Sequence, residues 1–466
     1  MNQRPLSVLL SLFLQLPLIL CARAEPAVQS VQSAQPAQSA LIAKIDALAA
    51  QHLAKPGGVG LSVAVAQHGK ILLEKGYGKA DAEFDVPANA ETMFRIGSVT
   101  KQFTAAIVMR LVEQKKLALD DELAKYVPDF PMQGHKVTIE QLLEHVSGIK
   151  SYTEVGEEWK KAWPLELTHA ELLAFVKDAP FDFEPGTDWH YSNTGYYLLG
   201  MVIEKITGRS YADVLQTELC APLNLTRTRY DSNRELIKNR AQGYTLDGER
   251  LVNDEMFGMA QPGAAGGIVS TAGDLVRWQI ALSSGKVVQP ESFKRMSTST
   301  VLPNGHDTRY GFGLMRSEWN GKPRVEHGGG IFGFNSVLFW IPGEDLHVAV
   351  ISNGELLPSA RLADAIAYAV LGIEPPAVKD EPIPAELIAR LSGDYAFTGI
   401  GLDSKVFERE GKLMVQGRGQ SAFRILWQGD LEFRAEFDHE VKLVFAADGK
   451  SVAIYQHGQK ADGVRK

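Results

Sequence analysis

Cysteine is nearly absent from this chain, which has two among 466 residues, Cys21 and Cys220. Cys21 falls in a leader, so no internal disulfide is expected. Stability must come from a buried apolar core, for which a hydrophobic content of 45% is ample. A surplus of basic charge is missing too: 48 Lys and Arg face 56 Asp and Glu, a net charge of −8. That balance argues against nucleic acid or an anionic membrane surface as a partner. The apolar run Leu6 to Leu20 falls short of the ~20 residues a membrane-spanning helix needs. Two catalytic signatures are also missing. No serine lies in Gly-x-Ser-x-Gly, which disfavours an α/β-hydrolase, and no His-Glu-x-x-His is present, which disfavours a metallohydrolase.

What is present begins with a targeting segment. Arg4, the run Leu6 to Leu20 and Ala22-Arg23-Ala24 predict a signal peptide over 1–24 and an exported chain, periplasmic or secreted. A lipoprotein anchored at Cys21 is the alternative, disfavoured by bulky Leu20 where a small residue is wanted. Residues 25–40, rich in Ala, Gln, Ser and Pro, predict a flexible tether. A main domain is expected over 41–373. It opens with helical spacing of Leu41, Ile42, Ile45, Leu48 and Leu53, followed by two strand-like runs, Val59 to Ala66 and Ile71 to Tyr77. In its middle, Thr138-Ile-Glu-Gln141 and Thr271-Ala-Gly-Asp274 predict capping boxes, and Gly148 and Gly208 predict helix stops. Ser336 to Ile341 and Leu346 to Ser352 predict a late hairpin, and Ala360 to Leu371 a closing helix. The Pro-rich segment 374–384 predicts a stiff linker. In 385–466, five short β-prone runs separated by Gly or Asp turns predict a small antiparallel β domain.

Three short patterns carry chemistry. Ser-x-x-Lys occurs at Ser98/Lys101, Ser147/Lys150 and Ser283/Lys286. The second abuts Gly148 and the third lies in a Ser-Ser-Gly-Lys turn, so neither is expected to bring its two side chains together. Ser98 instead precedes Gln102 to Met109, apolar around much of a helix, and residues three apart on a helix are neighbours. A buried lysine there would lose its charge readily and could take the serine proton. Tyr191-Ser-Asn193 is the only Tyr-x-Asn. Its tyrosine could relay a proton, with its pKa lowered by the lysine charge, while Asn193 could orient Lys101 and bind a substrate amide. His327-Gly-Gly329 is the only His-x-Gly. His327 could donate a hydrogen bond or partial charge, and bare glycines on an edge strand, Gly329 and Gly330, would admit a substrate backbone. The N–H groups of Ser98 and Gly330 would form a two-donor oxyanion hole. Structural readings stand beside these: Ser98 or Asn193 as helix caps, Lys101 reaching solvent, and the glycines as a turn.

In this order the three patterns resemble those of the penicillin-recognising serine hydrolases, the serine β-lactamase and penicillin-binding-protein superfamily. The nearest branch is similar to class C β-lactamases, D-Ala-D-Ala carboxypeptidases and related esterases and aminopeptidases. Supporting stretches are Phe94 to Phe103, Leu142 to Gly148, Tyr191 to Gly200 and Gly266 to Leu275, and the likeness spans Leu41 to Leu371. The resemblance implies an α+β fold, an antiparallel sheet flanked by helices with an all-helical subdomain, and a small lipocalin-like all-β domain after it. It implies Ser98 as nucleophile, Lys101 and Tyr191 sharing acid–base duty, Asn193 and His327 binding and orienting, and no metal or cofactor. The third motif departs from the pattern, because β-lactamases of this group usually carry Lys where this chain has His327. Losing that cation weakens the hold on a substrate carboxylate. The expected activity is thus acyl transfer through Ser98 on a small peptide, amide or ester, with β-lactam hydrolysis or a penicillin-binding sensor as alternatives.

Overall fold

The computed structural model describes residues 34–397, 402–417, 422–436, 441–456 and 459–466. The expected leader over 1–24, with Cys21, and residues 25–33 of the expected tether lie outside them. Helix α1 runs Ala34–Leu53, so 34–40 are helical where a tether was expected. Ala and Gln are good helix formers, and Pro36 falls in the first turn, where its missing N–H has no intrahelical partner to lose.

Strands β1 (Gly60–Gln67) and β2 (Lys70–Asp81) form the expected first hairpin, and β3 (Val86–Pro87) adds to β2. Late in the chain come β4 (Met315–Trp319), β5 (Lys322–Ile331), β6 (Phe334–Ile341) and β7 (Leu346–Ser352). The two groups join through β1 and β7 into a seven-stranded antiparallel sheet of order β3-β2-β1-β7-β6-β5-β4. Alternation along β1 sends Leu61, Val63 and Val65 to one core and Ala64 and Ala66 to another. Residues of α1 and of the closing helix, α6 below, share the first core. The second core contains the helical part of the molecule, so the sheet is buried on both faces.

That helical part is built around α2 (Thr100–Glu113), whose residues 100–109 are all buried. With it are α3 (Ile139–Leu143), α4 (Asn193–Thr207), α5 (Ala272–Ser283) and, closing the unit, α6 (Ser359–Leu371). Thr138 and Gln141 form the full expected capping box on α3. Thr271 accepts from the Asp274 N–H on α5, but the Asp274 carboxylate turns away to take the Arg227 N–H and the Thr228 hydroxyl, so that box is half made. Gly208 ends α4 in the left-handed conformation as expected. Gly148 stops no helix, because α3 has already ended at Leu143.

Beyond α6, helix α7 (Ala385–Leu391) precedes a closed eight-stranded barrel of β8 (Gly393–Phe397), β9 (Leu402–Arg409), β10 (Lys412–Gly417), β11 (Phe423–Gly429), β12 (Glu432–Ala435), β13 (Lys442–Phe445), β14 (Ser451–Gln456) and β15 (Gln459–Arg465). Its core, with Tyr395, Phe397, Leu413, Ile425, Phe433 and Phe445, also takes in Leu387, Ile388 and Leu391 of α7. An eight-stranded barrel is just wide enough for side chains to fill. The Pro-rich segment lies against β11: the Lys379 N–H donates to Gln428 Oε1 at 2.9 Å and Gln428 Nε2 donates to Lys379 O at 3.0 Å.

Candidate active site

Ser98 sits in a short 3₁₀ turn, Gly97–Val99, feeding α2. The turn is possible because residue 97 is glycine: its φ is +49°, and a Cβ there would lie 2.8 Å from Gly330 O and 2.9 Å from Gly330 N. This contact presses the nucleophile turn against β5. Gly329 serves the same packing, since a Cβ on it would meet the Ile96 carbonyl oxygen at 2.0 Å. Its bareness therefore admits the neighbouring chain rather than a substrate. Gly330 and Ile331 line a cavity that also includes Ser98. β4 pairs with β5 only over Lys322–Glu326, so among the described residues 327–331 have no strand partner on that side.

Lys101 is wholly buried, in the first turn of α2. Its Nζ lies 3.1 Å from Ser98 Oγ, 2.8 Å from Asn193 Oδ1 and 2.8 Å from Ala265 O. It meets Ser98 as expected and does not take the alternative course to solvent. Burial pushes its pKa well below the ordinary lysine value. The two oxygens of Asn193 and Ala265 can only accept, so they fix two N–H bonds whatever the charge state. Only the bond to Ser98 can reverse. A neutral Lys101 then points its lone pair at the Ser98 hydroxyl and satisfies every remaining proton.

Asn193 opens α4 but does not cap it. Ser192 does, accepting from the Gly195 N–H at 3.3 Å. The Asn193 side chain is freed to hold Lys101, and its own Nδ2 donates to Thr153 Oγ1 at 3.3 Å. Tyr191 lies with its ring 4.7 Å from Lys101 Nζ. Its pKa is raised, not lowered as expected: burial dominates, and the Ser98 hydroxyl pulls weakly the other way. No well-formed hydrogen bond reaches its buried hydroxyl.

His327, buried in β5, differs most from expectation. Its Nδ1 lies 2.6 Å from Gly328 O, which can only accept, so Nδ1 carries the proton and Nε2 accepts from Tyr310 Oη at 2.9 Å. Burial, with Lys101 nearby, pushes its pKa down to about 3. It is a neutral ring with both nitrogens engaged, and donates nothing to a ligand. The rejected Ser-x-x-Lys pairs stay apart: Lys150 binds Asp182 at 2.9 Å, and Ser283 bonds to Ile280 O.

The beta-lactamase family matches residues 45–372, well over half of the sequence. The chain belongs to the beta-lactamase family. Protein flp of Staphylococcus aureus (strain MRSA252) is 30% identical over 319 residues, which is 66% of this chain and 62% of flp, so the chain spans less than two thirds of that relative. The octameric penicillin-binding protein homologue from Pyrococcus abyssi superposes with a TM-score of 0.66 at 26% identity, covering 91% of this chain and all of that one. The D-amino acid amidase from Ochrobactrum anthropi SV3, in complex with L-phenylalanine amide, gives a TM-score of 0.62 at 26% identity over 72% of this chain and 99% of that one.

In this beta-lactamase family chain the cavity beside Ser98 measures about 290 Å³. Aromatic side chains of Tyr152, Trp159, Phe257, Phe332 and Phe334 dominate it, with Asn193, Asn335 and Glu355 as polar groups. No Lys, Arg or His lines it among the described residues. Sequence reasoning missed His145, although it stands inside the Leu142–Gly148 stretch that carries the family likeness. Its ring lies 4.2 Å from that of Tyr191, and its Nδ1 accepts the Ser192 N–H at 3.0 Å, so it braces the Tyr191–Asn193 turn. Tyr310 and Ala265 were also missed; a carbonyl contact and a lone tyrosine leave no sequence signal. Among the described residues, Glu154, Asp182 and His190 form one surface group with metal-like spacing, but they bond to one another and Lys150 already occupies Asp182.

Proposed function

We propose that this protein is an exported serine hydrolase that forms an acyl-enzyme on Ser98 and releases it to water, acting on a small amide, peptide or ester. The observation that carries the reading is the Lys101 amine, buried, its pKa pushed well below the ordinary lysine value by burial, and left with one reversible hydrogen bond, to Ser98 Oγ. In the first half-reaction the Ser98 proton passes to Lys101 Nζ as Oγ attacks the substrate carbonyl carbon. The oxyanion is met by the N–H groups of Ser98 and Gly330. Tyr191, held neutral by burial, hands its hydroxyl proton to the leaving nitrogen or oxygen and is reprotonated by Lys101, so it acts as a relay and not as a tyrosinate base. Water attacks the ester by the reverse path.

The cavity lies at the lower end of the ~300–1,000 Å³ typical of small-molecule sites. A single apolar side chain fits it, in line with the amidase among the structural neighbours. β-Lactam hydrolysis as main activity is disfavoured, because a substrate carboxylate finds no cation in the cavity wall. Fluorophosphonate labelling of the mature protein tests the mechanism: wild type labels, and Ser98→Ala loses both label and turnover. A panel of p-nitrophenyl esters, D-phenylalanine amide and a chromogenic cephalosporin tests the substrate. Turnover confined to the cephalosporin refutes the amide or ester assignment, and labelling without release turns the reading to a sensor.

A further inference from the structure

We propose that Glu355 selects substrates that carry a free, positively charged amine, so that the acyl donor is an α-amino amide or ester with an apolar side chain. The inference rests on the acyl-transfer reading of Ser98 and adds a substrate class to it.

Glu355 is the one carboxylate in the wall of the cavity that holds Ser98, and no basic side chain shares that wall. It follows β7 through Asn353-Gly354, a turn that the protein fixes firmly. The Asn353 side-chain amide donates to Lys79 O at 3.1 Å and Gln242 O at 2.9 Å, and the Glu355 N–H donates to Tyr244 O at 2.9 Å. The carboxylate itself accepts one hydrogen bond, from Thr245 Oγ1 at 3.0 Å, and among the described residues it has no ion-pair partner. Asp254 stands beside it, close enough for a carboxyl–carboxyl hydrogen bond, and its buried Oδ2 has no other partner among the described residues. Two half-buried carboxyls without a cation repel each other, and burial together with Asp254 raises the pKa of Glu355. An ammonium delivered by a ligand offsets that repulsion. A substrate carboxylate would add to it. The aromatic wall suits the same ligand, since ring faces favour a cation as well as an apolar side chain.

The test compares two esters that differ only in the amine, phenylalanine p-nitrophenyl ester in both enantiomers and p-nitrophenyl 3-phenylpropionate. The readout is the ratio of kcat/KM for the amino ester to that for the neutral ester, which cancels losses common to both. In Glu355→Gln this ratio is expected to fall at least fivefold from the wild-type value; a smaller fall overturns the proposal. If the variant does not fold, competition on the wild type decides. 2-Phenylethylamine should inhibit at least fivefold more tightly than 2-phenylethanol, and equal inhibition overturns the amine site. Failure of the underlying reading looks different: wild type then turns over neither ester and takes no fluorophosphonate label on Ser98.

Discussion

Replacing Lys101 with methionine separates its chemical task from its place in the core. The substitution removes the amine that hydrogen-bonds Ser98 Oγ while keeping an unbranched apolar stem inside α2, where residue 101 has no exposure. Loss of a general base lowers the rate by about 10²–10⁴, or ~3–5.5 kcal/mol of barrier. Stability responds less, because opposing effects meet. The oxygens of Asn193 and Ala265 lose their donor, at ~1–3 kcal/mol each, while the penalty of burying an amine disappears. The assay is the second-order rate of fluorophosphonate labelling at pH 8 beside a thermal melt of the same sample. Labelling should fall at least 100-fold, with the melting temperature moved by a few degrees in either direction. In wild type the rate should climb with pH as Lys101 deprotonates and level off well below the ordinary lysine pKa. A folded Lys101→Met that labels within threefold of wild type refutes the reasoning.

Acid should weaken the fold through its buried histidines. His327 binds its proton near pH 3 when folded but near 6.5 when unfolded, so stability is intact above pH 6.5 and falls by up to ~1.4 kcal/mol per pH unit between 6.5 and 3. Urea midpoints at pH 7.5, 5.5 and 4.5 should show that slope, and a shallower one in His327→Gln; identical slopes count against a neutral His327. Gly97→Ala puts a Cβ on the Gly330 backbone at a left-handed φ, costing ~1–3 kcal/mol and displacing Ser98, so labelling should drop tenfold or more. His145→Asn retains an acceptor for the Ser192 N–H, whereas His145→Leu leaves it orphaned at ~1–3 kcal/mol. The Leu variant should therefore melt lower and label more slowly than the Asn variant, and equal behaviour would remove the brace.

The legible parts of this molecule are those written in local pattern. Runs of β-prone apolar residues gave away β1, β2, β6 and β7, and the helix α2 was readable because Gln102 to Met109 is apolar around much of its circumference. Ser98, Lys101, Tyr191 and Asn193 converge on one point, and their motifs lie at the ends of elements whose starts the sequence marks. Strand β15 was not legible. Gln459–Arg465 contains Gln, Lys, Asp and Gly, poor strand formers that pair because β8 and β14 present open edges on both sides. The roles of His327 and Gly329 were misjudged for a related reason. A tautomer depends on which acceptor faces the ring, and a packing glycine depends on what touches it, and both partners are distant in sequence or invisible in it.

Those misjudged residues show how the Lys101 amine is held with no cation at the third motif. A fixed cation near Lys101 would lower that amine's pKa by repulsion, so its replacement by a neutral ring removes one source of basicity control. Here burial alone accounts for the depressed value, with no charged neighbour contributing. Two N–H acceptors, Asn193 Oδ1 and Ala265 O, together with the Ser98 hydroxyl keep the buried amine placed, and His327, tied by Gly328 and Tyr310, fills the volume without adding charge. The base is thus set by packing around α2, and the substrate end of the cavity is free to present a carboxylate, Glu355, instead of a cation. Base strength and substrate charge are therefore separable in this chain: altering Glu355 should change which ligand enters while leaving the pH at which Lys101 takes the serine proton where packing sets it.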